Sequence, residues 1–229
     1  MPQTLKKKIL SALESNDLDA VVALATGDRT VLSRLVRLAY DKETLVGWRA
    51  IKTVGLVARA LLKSDYDFLR DMCRKLLWSL SDESGGIGWS APEMLGEIVS
   101  ADPRRFADIV PLIAQVYEIE EDVFRPGVVY ALGRIAEADP EAAHSFQKVI
   151  ISSLVDRNPL TRIYGLDLIE TLWKGGAVER CWTHEYRERI RSVVSSMKAD
   201  KAEAWIYRDP QFISIMIGEY ASVLINKLK

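Results

Sequence analysis

The residues best placed to do chemistry sit in one unusual stretch, Ser81-Asp82-Glu83-Ser84-Gly85-Gly86-Ile87-Gly88-Trp89-Ser90-Ala91-Pro92-Glu93. Three glycines ahead of a helical run can free backbone N–H groups to hold an anion at the start of that helix. Asp82, Glu83 and Glu93 put negative charge where such an anion would lie, however, and no phosphate-loop lysine follows. The same residues also read as an extended turn between helices, with Ser90 as the cap and Pro92 in the first turn, because turn glycines mostly serve backbone geometry. A turn and a binding loop both stand as readings of this stretch. Trp48 and Trp89 lie 41 residues apart at matching places in a repeat described below, with Arg49, Arg125 and Arg162 near the same register. Tryptophan and arginine are favoured anchors of binding surfaces, so a candidate peptide groove comprises Trp48, Arg49, Asp82, Glu83, Trp89, Glu93, Glu97, Arg125 and Arg162. Against it, large aromatics mostly fill interiors, and the arginines equally suit the capping of turn carbonyls.

No catalytic group is legible. Two histidines, His144 and His184, and two cysteines, Cys73 and Cys181, are all the soft or nitrogen ligands the chain has. Cys181 and His184 have a workable local spacing, but a structural zinc takes four ligands and Cys73 lies more than one hundred residues away. Neither a nucleophile elbow nor a dinucleotide fingerprint is present. No catalytic residue, metal or cofactor is assigned, and the cysteines read as a reduced, structural pair.

The elements that must position these residues read as helices. Asp102-Pro103, Asp139-Pro140, Asn158-Pro159 and Asp209-Pro210 each place an Asx oxygen before a proline, the pattern of a helix start: the oxygen accepts from an orphan N–H, and proline gives up an N–H that had no partner. Apolar residues recur at spacings of three and four, as in Ile109, Ile113, Val116 and Val129, Leu132, Ile135, and no sustained strand-like alternation is seen. About a dozen helices joined by short polar turns are expected, with β structure unlikely. Second helices align as Val46 to Gly55, Ile87 to Gly96, Phe124 to Gly133 and Thr161 to Glu170, and corresponding points fall at 48, 89, 126 and 163. A period near 40 residues marks helix pairs that stack to share one continuous core. Gly55, Gly96 and Gly133 are expected to admit a close neighbouring helix.

These features resemble HEAT repeats: an apolar first helix, a turn carrying an acidic residue (Asp41, Asp82, Asp156), and a second helix with Arg49 or Arg162 near its start. Pro111 falls inside a first helix, where such repeats are often kinked. The resemblance covers residues 31 to 174 and extends to the bacterial HEAT-like group named after phycobilisome lyases. It implies an all-α, right-handed α-solenoid of antiparallel helix pairs with a single domain over 1–229, capped by 1–30 and by 175–229, the latter as roughly two helices.

Composition fits that class. The 229 residues are 48% hydrophobic and 28% charged, with a net charge of −1, which excludes a disordered chain. No run approaches the ~18 apolar residues of a spanning helix, and the start lacks a secretory pattern, so a cytoplasmic location is expected. Charge is distributed in blocks: residues 1–80 hold 14 Lys and Arg against 9 Asp and Glu, whereas 81–122 hold 2 against 10. The acidic block argues against tracking a phosphate backbone and for a partner with a basic surface. The leading expectation is a non-enzymatic scaffold for a protein or peptide, bound on the concave face of the repeats. Two alternatives come from the resemblance. One is an alkylation-repair DNA glycosylase using Trp48, Trp89, Asp82 and Arg162, although the family's tryptophan-tryptophan-aspartate cluster is missing. The other is a tetrapyrrole or small-ligand handling protein of the lyase type.

Overall fold

The computed structural model describes residues 4–80, 89–119 and 122–228, and its packing gathers them into two compact units, Met1–Asp102 and Pro103–Lys229. In the first, α1 (Leu5–Glu14), α2 (Leu18–Gly27), α3 (Thr30–Leu38), α4 (Leu45–Leu61), α5 (Tyr66–Trp78) and α6 (Ala91–Val99) follow one another. α2 and α6 both pack against α4, with α3 also on α4 and α5 on α6. Helices alternate in sequence but are neighbours in space, which is the order of stacked helix pairs.

α4 shows why the sequence does this. Thr44 caps it, its Oγ1 accepting from Gly47 N at 3.1 Å. Trp48, Ile51, Val54, Ala58 and Leu61 then recur at helical spacing on a buried face. Each buried Ile or Leu contributes roughly 1.5–3 kcal/mol. α6 is different in kind, because all nine of its residues are buried, Glu93 and Glu97 included. A helix enclosed on every side must neutralise its own charges. Gly55 meets the close-approach expectation: a Cβ there would lie 2.5 Å from Glu97 Oε2 and 3.1 Å from its carbonyl oxygen.

The second unit holds α7 (Val110–Ile119), α8 (Arg125–Ala138), α9 (Gln147–Leu154), α10 (Pro159–Lys174), α11 (Ala177–Cys181), α12 (His184–Ser196), β1 (Glu203–Arg208), β2 (Gln211–Met216) and α13 (Ile217–Lys227). α10 packs against α8 on one side and α13 on another, around Leu132, Ile135, Ile163, Leu168, Ile169 and Leu224. The helical, repeat-like reading therefore holds in each unit.

Four expectations need correction. First, β1 and β2 form an antiparallel hairpin, Glu203 facing Met216 through to Arg208 facing Gln211, so the C-terminal region is α11, α12, a hairpin and α13. Second, of the four Asx-Pro pairs only Asn158-Pro159 starts an α-helix, with Asn158 Oδ1 accepting from Leu160 N at 2.9 Å. Asp139-Pro140 starts a single 3-10 turn, and Asp102-Pro103 opens a run of turns ahead of α7. Asp209-Pro210, a cis peptide, is the two-residue hairpin loop. Proline's fixed φ suits turns as well as first helical positions. Third, Pro111 is the second residue of α7, in the turn whose N–H groups have no helical partner, so it costs no hydrogen bond there. Fourth, a Cβ at Gly133 would meet nothing within 4 Å among the described residues, so that glycine admits no close neighbour.

Candidate functional site

The candidate groove residues divide by unit. In the first, Trp48 is the fourth residue of α4 and 4% exposed, whereas Trp89 precedes α6 and is 42% exposed. The 41-residue period aligns the helices but not their first turns, and the two indoles are not equivalent. Trp48 is core. Trp89 is presented outward from a pinned backbone: its carbonyl accepts from Lys42 Nζ at 2.7 Å, and the adjoining Ser90 Oγ donates to Ala39 O at 2.6 Å in a buried bond.

Glu93 and Glu97 are not groove residues. Their side chains are 2% exposed and ion-paired at 2.9 Å to Lys42 and Lys52. α6 is enclosed, so its two carboxylates are matched by lysines reaching in from the loop before α4 and from α4 itself. Neither can meet a partner, which removes two of the ten carboxylates behind the expected basic partner. Asp82 and Glu83, with the glycines of the same stretch, lie outside the described residues.

The arginines cap carbonyls. Arg49 donates through Nη1 to Leu13 O at 2.9 Å and Glu14 O at 2.8 Å, closing the end of α1. In the second unit Arg125 donates from Nε to Tyr117 O at 3.3 Å, pairs with Asp122 at 2.8 Å and Asp156 at 3.5 Å, and lies over the Tyr117 ring. Arg162 donates to Asp156 O at 2.6 Å and Arg157 O at 3.1 Å, and its Nε is 3.0 Å from Asp200 Oδ2. Asp156, one of the turn acids, is 6% exposed and accepts from Tyr117 Oη at 2.9 Å. Burial first, and this carboxylate second, push the Tyr117 hydroxyl well above its ordinary range. Of the nine predicted residues, Trp89 alone is described with its side chain substantially open to solvent as a binding role would need.

One polar cluster escaped the sequence. Tyr220 Oη of α13 lies 2.6 Å from Asp167 Oδ1 and 2.9 Å from Glu170 Oε2 on α10, a single donor shared by two carboxylates. Arg208 of β1 pairs with Asp167, and Lys174 and Lys227 both pair with Glu170 at 2.8 Å. The spacing of Asp167, Glu170 and Lys174 on one helix face was visible, but Arg208, Tyr220 and Lys227 arrive from far along the chain. Burial raises the Asp167 carboxyl above its usual range. Burial also pushes on Glu170, but hydrogen bonds from Lys174, Lys227 and Tyr220 outweigh it and hold that carboxyl down at about 2.

The two acids respond to pH with opposite sign. Glu170, depressed on folding, contributes stability above its unfolded value near 4.5, and that contribution is lost as pH falls toward 2. Asp167, raised on folding, is relieved by the same acid. Comparing wild type with Lys227→Met isolates the first. The stability gap between them, read from urea unfolding across pH 6 to 2, should be largest above pH 4.5 and close as the pH approaches 2. A gap independent of pH would mean that Lys227 acts by packing alone.

Among the described residues no three His, Cys, Asp or Glu side chains gather as a metal-binding group, and none of the described helices is long and apolar enough to cross a membrane. Cys73 is buried and Cys181 exposed, both as free thiols.

Comparison with known proteins adds a distant structural likeness. No family model and no curated protein matches the sequence. Among solved structures, the chain is similar to the crystal structure of the archaeal HEAT-like repeats protein from Thermococcus onnurineus NA1, at 15% identity over 100% of this chain and 99% of that one, with a TM-score of 0.39.

Proposed function

We propose that this chain is a non-enzymatic helical-repeat scaffold whose first unit binds a protein or peptide partner, with Trp89 as the anchor. One observation carries the reading: an indole 42% exposed is held by a backbone pinned at its own carbonyl by Lys42 and at the next residue by the buried Ser90 hydroxyl. Exposed aromatics cost little where they are mobile and scattered. A large aromatic presented from a rigid frame is pre-organised for contact and loses little entropy on binding. Tyr40 and Leu45, 42% and 37% exposed, flank Lys42 in the chain and supply further apolar surface.

Arg49, Glu93, Glu97, Arg125 and Arg162, the described charged residues read as a groove, are occupied internally, so the partner is recognised by an aromatic anchor more than by a file of ion pairs. Trp89→Ala tests this with Glu93 left intact. The variant should melt within about 0.5 kcal/mol of wild type, as surface changes do. It should also lose at least tenfold in retention of whatever protein the wild type captures from lysate. Trp205→Ala, which removes a 67% exposed indole from β1 of the other unit, should keep that capture. Equal capture by wild type and Trp89→Ala would sink the proposal.

A further inference from the structure

α1 and α3 of the first unit border a cavity of about 240 Å³ lined by Lys6, Ile9, Arg34, Arg37 and Leu38. Arg34 and Arg37 are three residues apart on α3 and so share a face, while Lys6 comes from α1. All three are exposed, and none has a hydrogen bond or ion pair among the described residues. Arg34 acts only through space on Asp28, whose carboxylate already accepts from Thr30 N at 2.9 Å. Elsewhere in the unit Arg29, Lys42, Arg49 and Lys52 hold carboxylates or carbonyls, and what sets Lys6, Arg34 and Arg37 apart from its other exposed bases is that they gather around one hollow. Three like charges around one hollow repel each other and have no counter-charge in the lining.

We infer that this cavity is a second binding site, taking an acidic peptide segment: one apolar side chain enters the hollow against Leu38 and the aliphatic stems of Arg34 and Arg37, and carboxylates on either side meet Lys6, Arg34 and Arg37. The size decides between small ligand and side chain. About 240 Å³ falls below the ~300–1,000 Å³ of ordinary small-molecule pockets and is of the order of one large side chain. Inorganic phosphate would leave the apolar wall unused. A membrane surface would need the apolar face of α1, yet Ile9 and Leu13 on that face are completely buried and cannot enter lipid. A nucleic-acid backbone calls for a basic track, not three charges gathered at a hollow. Complementary charge then steers the acidic segment to the site.

The site is independent of Trp89, and the experiment keeps the two apart. The full chain is titrated at low salt with the peptide Glu-Asp-Phe-Glu-Glu, with Glu-Asp-Gly-Glu-Glu, and with Lys-Lys-Phe-Lys-Lys, following backbone amide shifts by NMR. The first should bind with shifts centred on residues 6–9 and 34–38, and the other two should bind at least tenfold more weakly. Arg34→Gln with Arg37→Gln, both exposed positions, should keep the fold by circular dichroism and lose at least tenfold, whereas Trp89→Ala should bind like wild type. Raising salt from about 50 to 200 mM should weaken the complex, as screening of exposed charges requires. Absence of binding at millimolar peptide, equal binding of the glycine peptide, or preference for inorganic phosphate or anionic vesicles at the same residues would overturn the assignment.

Discussion

Gly47→Ala should destabilise the first unit by at least about 3 kcal/mol, the upper end of what overpacking costs. The expectation runs against propensity, because alanine in a helix normally gains ~1 kcal/mol over glycine. Gly47 is the third residue of α4, and a Cβ there would fall on the carbonyl oxygen of Asp41, with the carbonyl carbon 2.6 Å away and Lys42 N at 3.3 Å. These are backbone atoms and cannot swing aside as a side-chain end would. The carbonyl is also committed, accepting from Thr44 Oγ1 at 3.0 Å, and that oxygen in turn caps the helix through Gly47 N. Gly133→Ala is the internal comparison: with nothing within 4 Å of its Cβ position among the described residues, it should be neutral or stabilising by up to ~1 kcal/mol. Urea unfolding followed by circular dichroism reads both. A neutral Gly47→Ala would mean that the Asp41 loop does not lie against the first turn of α4.

The two glycines show what the sequence could and could not convey. Helix pairs were legible because their signal is local: apolar spacing of three and four, and Thr44 or Asn158 just before a run. The repeat period located α4, α6, α8 and α10, since each holds an aligned segment in whole or in part. Within those helices the register slipped. Trp48 stands inside the first turn of α4 and Trp89 ahead of α6, so one is core and the other open, and no residue-type rule separates them. Gly55 and Gly133 align in the same way, yet one faces Glu97 and the other meets nothing within 4 Å among the described residues.

The hairpin was missed for a related reason. Asp209-Pro210 was read by its helix-start chemistry, while the β-branched and aromatic runs on either side, Trp205-Ile206-Tyr207 and Phe212-Ile213-Ser214-Ile215, carried the strand preference. Weighing those runs would have found it. Nothing in the sequence, by contrast, joins Tyr220 to Asp167, or Lys42 to Glu93, since those pairings exist only once the helices pack.

Lys42→Met should be the other severe change in the first unit, at about 3–5 kcal/mol, the range for removing one member of a buried ion pair. Glu93 has a side chain 2% exposed, its Oε1 on Lys42 Nζ at 2.9 Å and its Oε2 buried with no hydrogen-bond partner among the described residues. Without the lysine the buried Glu93 carboxylate loses the cation it is paired with, and the Trp89 carbonyl loses its donor as well. The double variant Lys42→Met, Glu93→Leu removes the charge together with its partner, and replacing a buried pair by apolar groups is often neutral or better. It should therefore recover most of the loss, a coupling of at least about 2 kcal/mol in a double-mutant cycle. Recovery of stability without recovery of lysate capture would separate the two roles of Lys42, balancing Glu93 in the interior and fixing the backbone that presents Trp89. If the double variant is as unstable as the single one, the lysine's contribution lies in the Trp89 carbonyl and its own packed stem, and the buried pair is not what holds α6 in place.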